Sequence, residues 1–278
     1  MTARNLLETR EHAAGAPAAG APRVRRMPRA ALTALGMVLT FILVWESGVR
    51  LLHTPVYLLP APSRVIVTLV EHPALFARAS LVTLSEALLG LLVGLTASAL
   101  LAALLMLRPG LADGVMTLAI LVKSTPLVAI APLLTLWLGF GMLPKVLIVA
   151  LMTFFPLLVN LLSGLQQIDP ALLDVFRSWN ASRKEIFLHL RVPSALPFLF
   201  AGIKISAPLA LVGAVVAEWT GASGGLGREM WLAYTNLNLP FLFGGIFILA
   251  AAGALLYRML DVLERRALFW QTARAADS

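Results

Sequence analysis

The chain has 278 residues, of which 59% are hydrophobic and 13% charged, with a mean hydropathy of +0.88. That excludes a water-soluble globular protein, whose residues are about a quarter charged, and leaves an all-α polytopic membrane protein as the expected fold class. The net charge of +8 is read as topology and not as a nucleic-acid footprint, because Lys and Arg are retained on the cytoplasmic side of membrane proteins.

Residues 1–28 hold "AAGAPAAGAP" followed by "RVRRMPR". Nothing in them can bury an apolar face, so a disordered cytosolic tail is expected, followed by a transmembrane domain over 29–278. A bilayer core of about 30 Å needs about 20 apolar helical residues, and six such stretches follow. The first runs from about Ala31 to Leu52; it is long and lacks a small-residue cleavage site, so it reads as an uncleaved signal anchor. The second spans about Ser80 to Leu107. The third, about Gly114 to Leu138, is interrupted by Lys123, Pro126 and Pro132, which predicts two helical pieces in place of one rod. The fourth covers about Lys145 to Leu165, the fifth about Leu196 to Trp219 and the sixth about Pro240 to Leu260. With the N-terminus inside, 15 of the 22 Lys and Arg fall on the cytosolic side and 5 on the far side. Both termini are therefore expected in the cytoplasm.

Between the fourth and fifth stretches lies a charged block, 169–193. Asp169-Pro170 is a helix-start signal, with Asp at the cap and Pro at the first helical position. Leu172, Leu173, Phe176 and Trp179 then recur at helical spacing. Asn180 tolerates the left-handed conformation and predicts a bend. Ser182 is placed to cap a second short helix, Arg183 to Leu190, which Pro193 and Pro197 are expected to end. Two short amphipathic helices joined by a tight turn are expected on the cytosolic face, with an ordinary surface loop as the alternative.

Several catalytic readings fail on residue type. "GASGG" at Gly221 to Gly225 satisfies Gly-x-Ser-x-Gly, but a serine nucleophile needs a base. The four His are His12, His53, His72 and His189; none follows Ser223 and none sits deep in an expected span. The glycines read instead as a tight extracytoplasmic turn. The chain holds no Gly-x-x-x-x-Gly-Lys-Ser/Thr, so ATP hydrolysis by a P-loop is excluded. With no Cys, disulfides and Cys-ligated metals are excluded too; no cofactor and no metal are expected.

The block resembles a known element. Asp174-Val175-Phe176, then Asn180, then Leu190-Arg191-Val192-Pro193 fall at the spacing of the EAA loop of ABC importer permeases: Glu-Ala-Ala, three residues, Gly, nine residues, Ile-x-Leu-Pro. Val175 and Phe176 are bulkier than Ala, and Asn180 replaces Gly. "LLPAPSRV", "STPLVAIAPLLTLWLGFGMLPK", "FFPLLVNLLSGL", "SALPFLFAGIKI" and "GAVVAEWTGASGGLG" follow the order of permeases of the nitrate, sulfonate and taurine importer group, over about Leu58 to Trp270. Glu86 in "TLSEALLGLLVG" and the segment "AEWTGASGGLG" are more similar to permeases for pyrimidine precursors of thiamine, or for riboflavin. The resemblance implies a type I ABC importer permease fold in the bacterial plasma membrane. It further implies two permease subunits, expected as a homodimer, a cytosolic pair of ABC ATPases and an extracytoplasmic solute-binding protein. The chain itself is then a permease and not an enzyme.

On the same resemblance, Asp174, Val175, Phe176, Arg177, Trp179, Asn180, Ala181, Ser182, Lys184, Glu185, Leu190 and Pro193 form the ATPase-coupling loop. Arg177 and Ala181 lie within it, and Phe176 and Trp179 either anchor in the ATPase or pack under the membrane domain. Ionisable residues in spans are costly and functional by default. Lys123, beside Ser124 and Pro126 at the break in the third stretch, and Glu218 at the end of the fifth, are expected on the translocation pathway. Glu46 and Glu86 are expected to lie near the membrane interfaces and to pair or snorkel. An ion-coupled secondary transporter or channel using these groups remains the alternative from another class, and a nitrate or sulfonate importer the alternative within the family.

Overall fold

The computed structural model describes residues 29–269; the expected tail over 1–28 lies outside them. The chain divides into two units between Gly48 and Val49. The first holds most of α1 (Arg29–Leu51), a 23-residue helix over the first expected stretch.

The second unit is an all-helical bundle. In chain order it contains α2 (Pro62–Glu71), α3 (Pro73–Leu107), α4 (Ala112–Ser124), α5 (Leu127–Leu138), α6 (Met142–Gln166), α7 (Pro170–Ser178), α8 (Arg183–Ile186), α9 (Val192–Trp219), α10 (Leu226–Thr235) and α11 (Leu239–Ala267). Four helical runs, at α3, α6, α8–α9 and α11, are long and apolar enough to cross a membrane. The pair α4 and α5, bent by 90° at the break, makes a fifth. The two-piece third span thus stands: Pro126 denies a backbone donor, and Thr125 leaves helical geometry at ψ 130°.

Two boundaries differ from expectation. α3 begins at Pro73, seven residues before Ser80, because Pro at the first helical position starts a helix well. More consequentially, Pro193 and Pro197 do not end the helix that follows Ser182. Residues 187–191 form a π turn in which Val192 N–H reaches back to Phe187 O, and the helix continues without a stop to Trp219. The π turn shifts the hydrogen-bond register just where Pro193 lacks its donor. Pro197 lies inside a buried membrane helix where packing tolerates it.

α3, α6 and α9 form the core. Ala87, Leu91, Val149, Leu157, Ala207, Ala210, Leu211 and Ala214 interlock between them. Small residues set the approach: a Cβ on Gly90 would lie 2.9 Å from Val146 O, and one on Gly94 2.9 Å from Ala150 O. Close backbone approach through glycines is the means by which helices associate where lipid removes the hydrophobic drive. Leu81, Leu88, Leu92 and Leu100, on the same α3, remain exposed, as a lipid-facing surface requires. At the α7–α8 end, α9 and α11 are joined by Lys204, whose Nζ donates to Asp261 Oδ1 at 2.9 Å and to Glu264.

Candidate functional site

Two polar constructions stand out, at opposite ends of the bundle. The first is the α7–α8 segment. Asp169 accepts from Ala171 N–H at 2.9 Å and caps α7, with Pro170 at the first turn. Asn180 adopts φ +54°, the left-handed bend that its side chain makes accessible. Ser182 and Glu185 then form a capping box: Glu185 N–H donates to Ser182 Oγ, and Ser182 N–H to Glu185 Oε2 at 2.7 Å. The segment is locally self-sufficient. Asp174 accepts from Arg177 at 3.3 Å on the surface. Leu190 is buried, Phe176 half-buried, and Trp179 73% exposed with its ring 6.1 Å from that of Phe176. Arg191 ties the segment to the bundle by donating to Leu165 O at 2.8 Å. Val175 and Lys184 are exposed, and Ala181 lies half-buried after the bend.

The second construction is a buried charged cluster at the other end. Lys145, in the first turn of α6, donates to Glu86 Oε1 of α3 at 2.6 Å, and both are nearly inaccessible. Glu218, near the end of α9 and 1% exposed, receives Thr83 Oγ1–H at 2.6 Å. Its other oxygen accepts from Gly227 N–H and from Arg228 N–H, the latter at 3.2 Å. Those amides open α10, so the carboxylate sits where unsatisfied N–H groups and the helix dipole favour an anion. Leu226 N–H donates to Thr83 Oγ1 at 2.7 Å, closing a loop of bonds from α3 through α9 to α10. The glycine turn makes this possible: Gly225 has φ +113°, and a Cβ there or on Gly227 would overlap the Glu218 carboxylate.

The pathway residues read from the sequence are not drawn together. Lys123 Nζ lies 4.6 Å from the centroid of the Phe155 ring, Ser124 and Pro126 sit exposed at the 90° break, and Glu218 is engaged in capping α10. Glu86 does pair, but it is 2% exposed and does not snorkel. Lys145, expected at the start of the fourth stretch on the far side, does lie at the start of α6, but buried at 6% exposure. Sequence reasoning missed Lys145 and Thr83 as members of the cluster. A usable signal was present for Glu218, a carboxylate seven residues before the Gly-Leu-Gly that starts α10. Among the described residues no group of His, Asp and Glu could hold a metal.

The chain matches the family described as the binding-protein-dependent transport system inner membrane component over residues 90–268. It is 32% identical to the formylaminopyrimidine transport permease protein ThiX of Halalkalibacterium halodurans, over 84% of this chain and 93% of that protein. It is also 32% identical to the riboflavin transport system permease protein RibX of Chloroflexus aurantiacus, over 91% and 96%. Identity is 30% with the putative aliphatic sulfonates transport permease protein SsuC of Bacillus subtilis, over 95% and 98%. Among solved structures, a chain of the MetNI methionine ABC transporter in an inward facing conformation superposes with a TM-score of 0.63 at 17% identity, covering 70% of this chain and 98% of that one.

Proposed function

The chain belongs to the family of inner membrane components of binding-protein-dependent transport systems, and from that premise we propose that 169–193 couples it to a cytosolic ABC ATPase pair while the opposite end receives solute. It is a multi-pass inner-membrane permease subunit of an ABC importer with a type I fold, and it is not itself an enzyme. The observation that carries the coupling reading is the self-capped α7–α8 element, which offers Trp179 at 73% exposure beside the Asn180 bend. Large exposed aromatics are enriched at protein interfaces. Because α8 runs through the π turn into α9, a push on α7–α8 reaches the core helix as a rigid-body movement. Both termini and this segment are cytosolic in this reading, and two copies of the chain form the pathway.

Lys123, Ser124 and Pro126 border that pathway. A 90° break exposes backbone groups that lipid cannot satisfy, so the break faces protein or a water-filled cavity. For the solute, the relatives divide between pyrimidine, riboflavin and sulfonate permeases by name, and a pyrimidine-type heterocycle is the favoured cargo. Replacing Ala181 with Glu tests the coupling reading: uptake is lost while the protein stays in the membrane and α3–α6–α9 stay packed. Normal uptake by that variant places the docking element elsewhere.

A further inference from the structure

A cavity of about 400 Å³ lies between the α7–α8 segment and the last turn of α3. Three arginines line it, Arg177 from α7, Arg183 from α8 and Arg191 from the π turn, and no acidic residue does. Their other engagements are slight. Arg177 donates to Asp174 at 3.3 Å in an exposed pair, which solvent screens. Arg191 gives one N–H to Leu165 O at 2.8 Å and keeps the rest of its donor fork. The Arg183 side chain has no ion-pair or hydrogen-bond partner among the described residues. The remaining wall is apolar, with Met106 and Leu107 of α3 facing Ile186 and Phe187. Leu100, Leu104 and Leu107 are all exposed, and their spacing puts them on one face of α3, a stripe that leads from the middle of the span to the cavity. The apolar run ends there, at Arg108. The three guanidiniums therefore stand where the hydrocarbon of a bilayer gives way to its headgroups.

We infer that this cavity holds the headgroup of an anionic phospholipid, its phosphate among Arg177, Arg183 and Arg191 and its acyl chain along the Leu100, Leu104 and Leu107 stripe. Guanidinium forks match phosphate oxygens in pairs of charge-assisted hydrogen bonds, and a basic pocket between helices on the cytoplasmic side of a membrane is the setting in which acidic headgroups are held. The lipid would join two parts of the chain that are otherwise unbridged, since among the described residues no hydrogen bond or ion pair links α3 to the α7–α8 segment. A carboxylate of the ATPase is the competing occupant, and the placement disfavours it. One wall of the cavity is a membrane span, and Trp179 and Asn180, the part of the segment read as docking, do not line it. The inference rests on the reading above that α7–α8 lies at the cytosolic face of the membrane.

Native mass spectrometry of the purified permease–ATPase complex, titrated with phosphatidylglycerol or with phosphatidylcholine of the same acyl chains, tests this. Phosphatidylglycerol should bind several-fold more tightly. Arg183→Gln should remove most of that preference, while Arg108→Gln, which deletes the same charge from an exposed residue outside the lining, should keep it. Should the Arg183→Gln complex fail to assemble, Arg183→Lys replaces it; the charge without the planar fork should leave an intermediate preference. Equal affinity for the two lipids overturns the site, as does an equal loss in the 183 and 108 variants, which would mark a diffuse surface charge. Displacement of phosphatidylglycerol by millimolar inorganic phosphate overturns the lipid as occupant. Release of the ATPase by Arg183→Gln with the lipid preference intact assigns the arginines to the ATPase and overturns the site. Ala181→Glu separates this inference from the coupling reading, because Ala181 does not line the cavity. A lipid preference together with normal uptake by Ala181→Glu overturns the coupling and leaves the site; no preference together with lost uptake overturns the site and leaves the coupling.

Discussion

Lys145 Nζ and Glu86 Oε1 meet at 2.6 Å between the first turn of α6 and the middle of α3, with 7% and 2% of their side chains accessible. Nothing about stability demands an ion pair there, because apolar residues of similar volume commonly hold helices together as well or better. Removing one partner leaves the other charge buried and alone. Lys145→Met or Glu86→Gln should each destabilise the purified protein by about 3–5 kcal/mol, read as a fall in thermal midpoint in detergent. The double variant should recover much of that loss.

Glu218 and Lys123 lead separate lives within one copy of the chain: the first caps α10, the second lies over Phe155. Lys123→Met and Glu218→Gln should therefore combine additively in uptake assays, within about 0.5 kcal/mol, as distant independent sites do. A strong departure from additivity would place the two in contact across two copies.

Gly225 and Gly224 are neighbours with opposite tolerances. Gly225→Ala forces a Cβ at φ +113° into the Glu218 carboxylate, where backbone strain alone costs about 1–3 kcal/mol. Gly224→Ala meets nothing within 4 Å and should stay within about 0.5 kcal/mol of the parent. Thermal unfolding of the two variants side by side gives the comparison.

The sequence made the local elements visible because their causes are local. Asp169-Pro170, Asn180 and Ser182 announce a cap, a bend and a second cap through side-chain chemistry within three residues. Lys123 and Pro126 announce the broken span. Pro193 misled because a π turn, which absorbs a missing donor by changing register, leaves no reliable mark in composition. The buried cluster was illegible for a different reason. Lys145 and Glu86 are 59 residues apart and Thr83 and Glu218 are 135 apart, so only the packing of α3 against α6 and α9 brings them together. Charge counting put Lys145 at the far-side start of the fourth stretch and carried no sign that the ammonium is buried against a carboxylate.

Orientation is open to a direct check. A reporter active only outside the cytoplasm should be silent when fused after Ser278 and active when inserted at Gly224, in the turn at the bundle end opposite α7–α8. The reverse pattern inverts the topology and removes α7–α8 from the cytosol.

Cross-linking at Trp179 tests the coupling of this permease to its ATPase most directly. A photoreactive phenylalanine analogue in place of Trp179, exposed on the α7–α8 element, should yield a covalent adduct with the ATPase subunit in a transport-competent complex. The same analogue at Trp231, on α10 at the opposite end, should yield none. An adduct from 231, or its absence from 179 while ATP-driven uptake persists, would contradict docking through α7–α8.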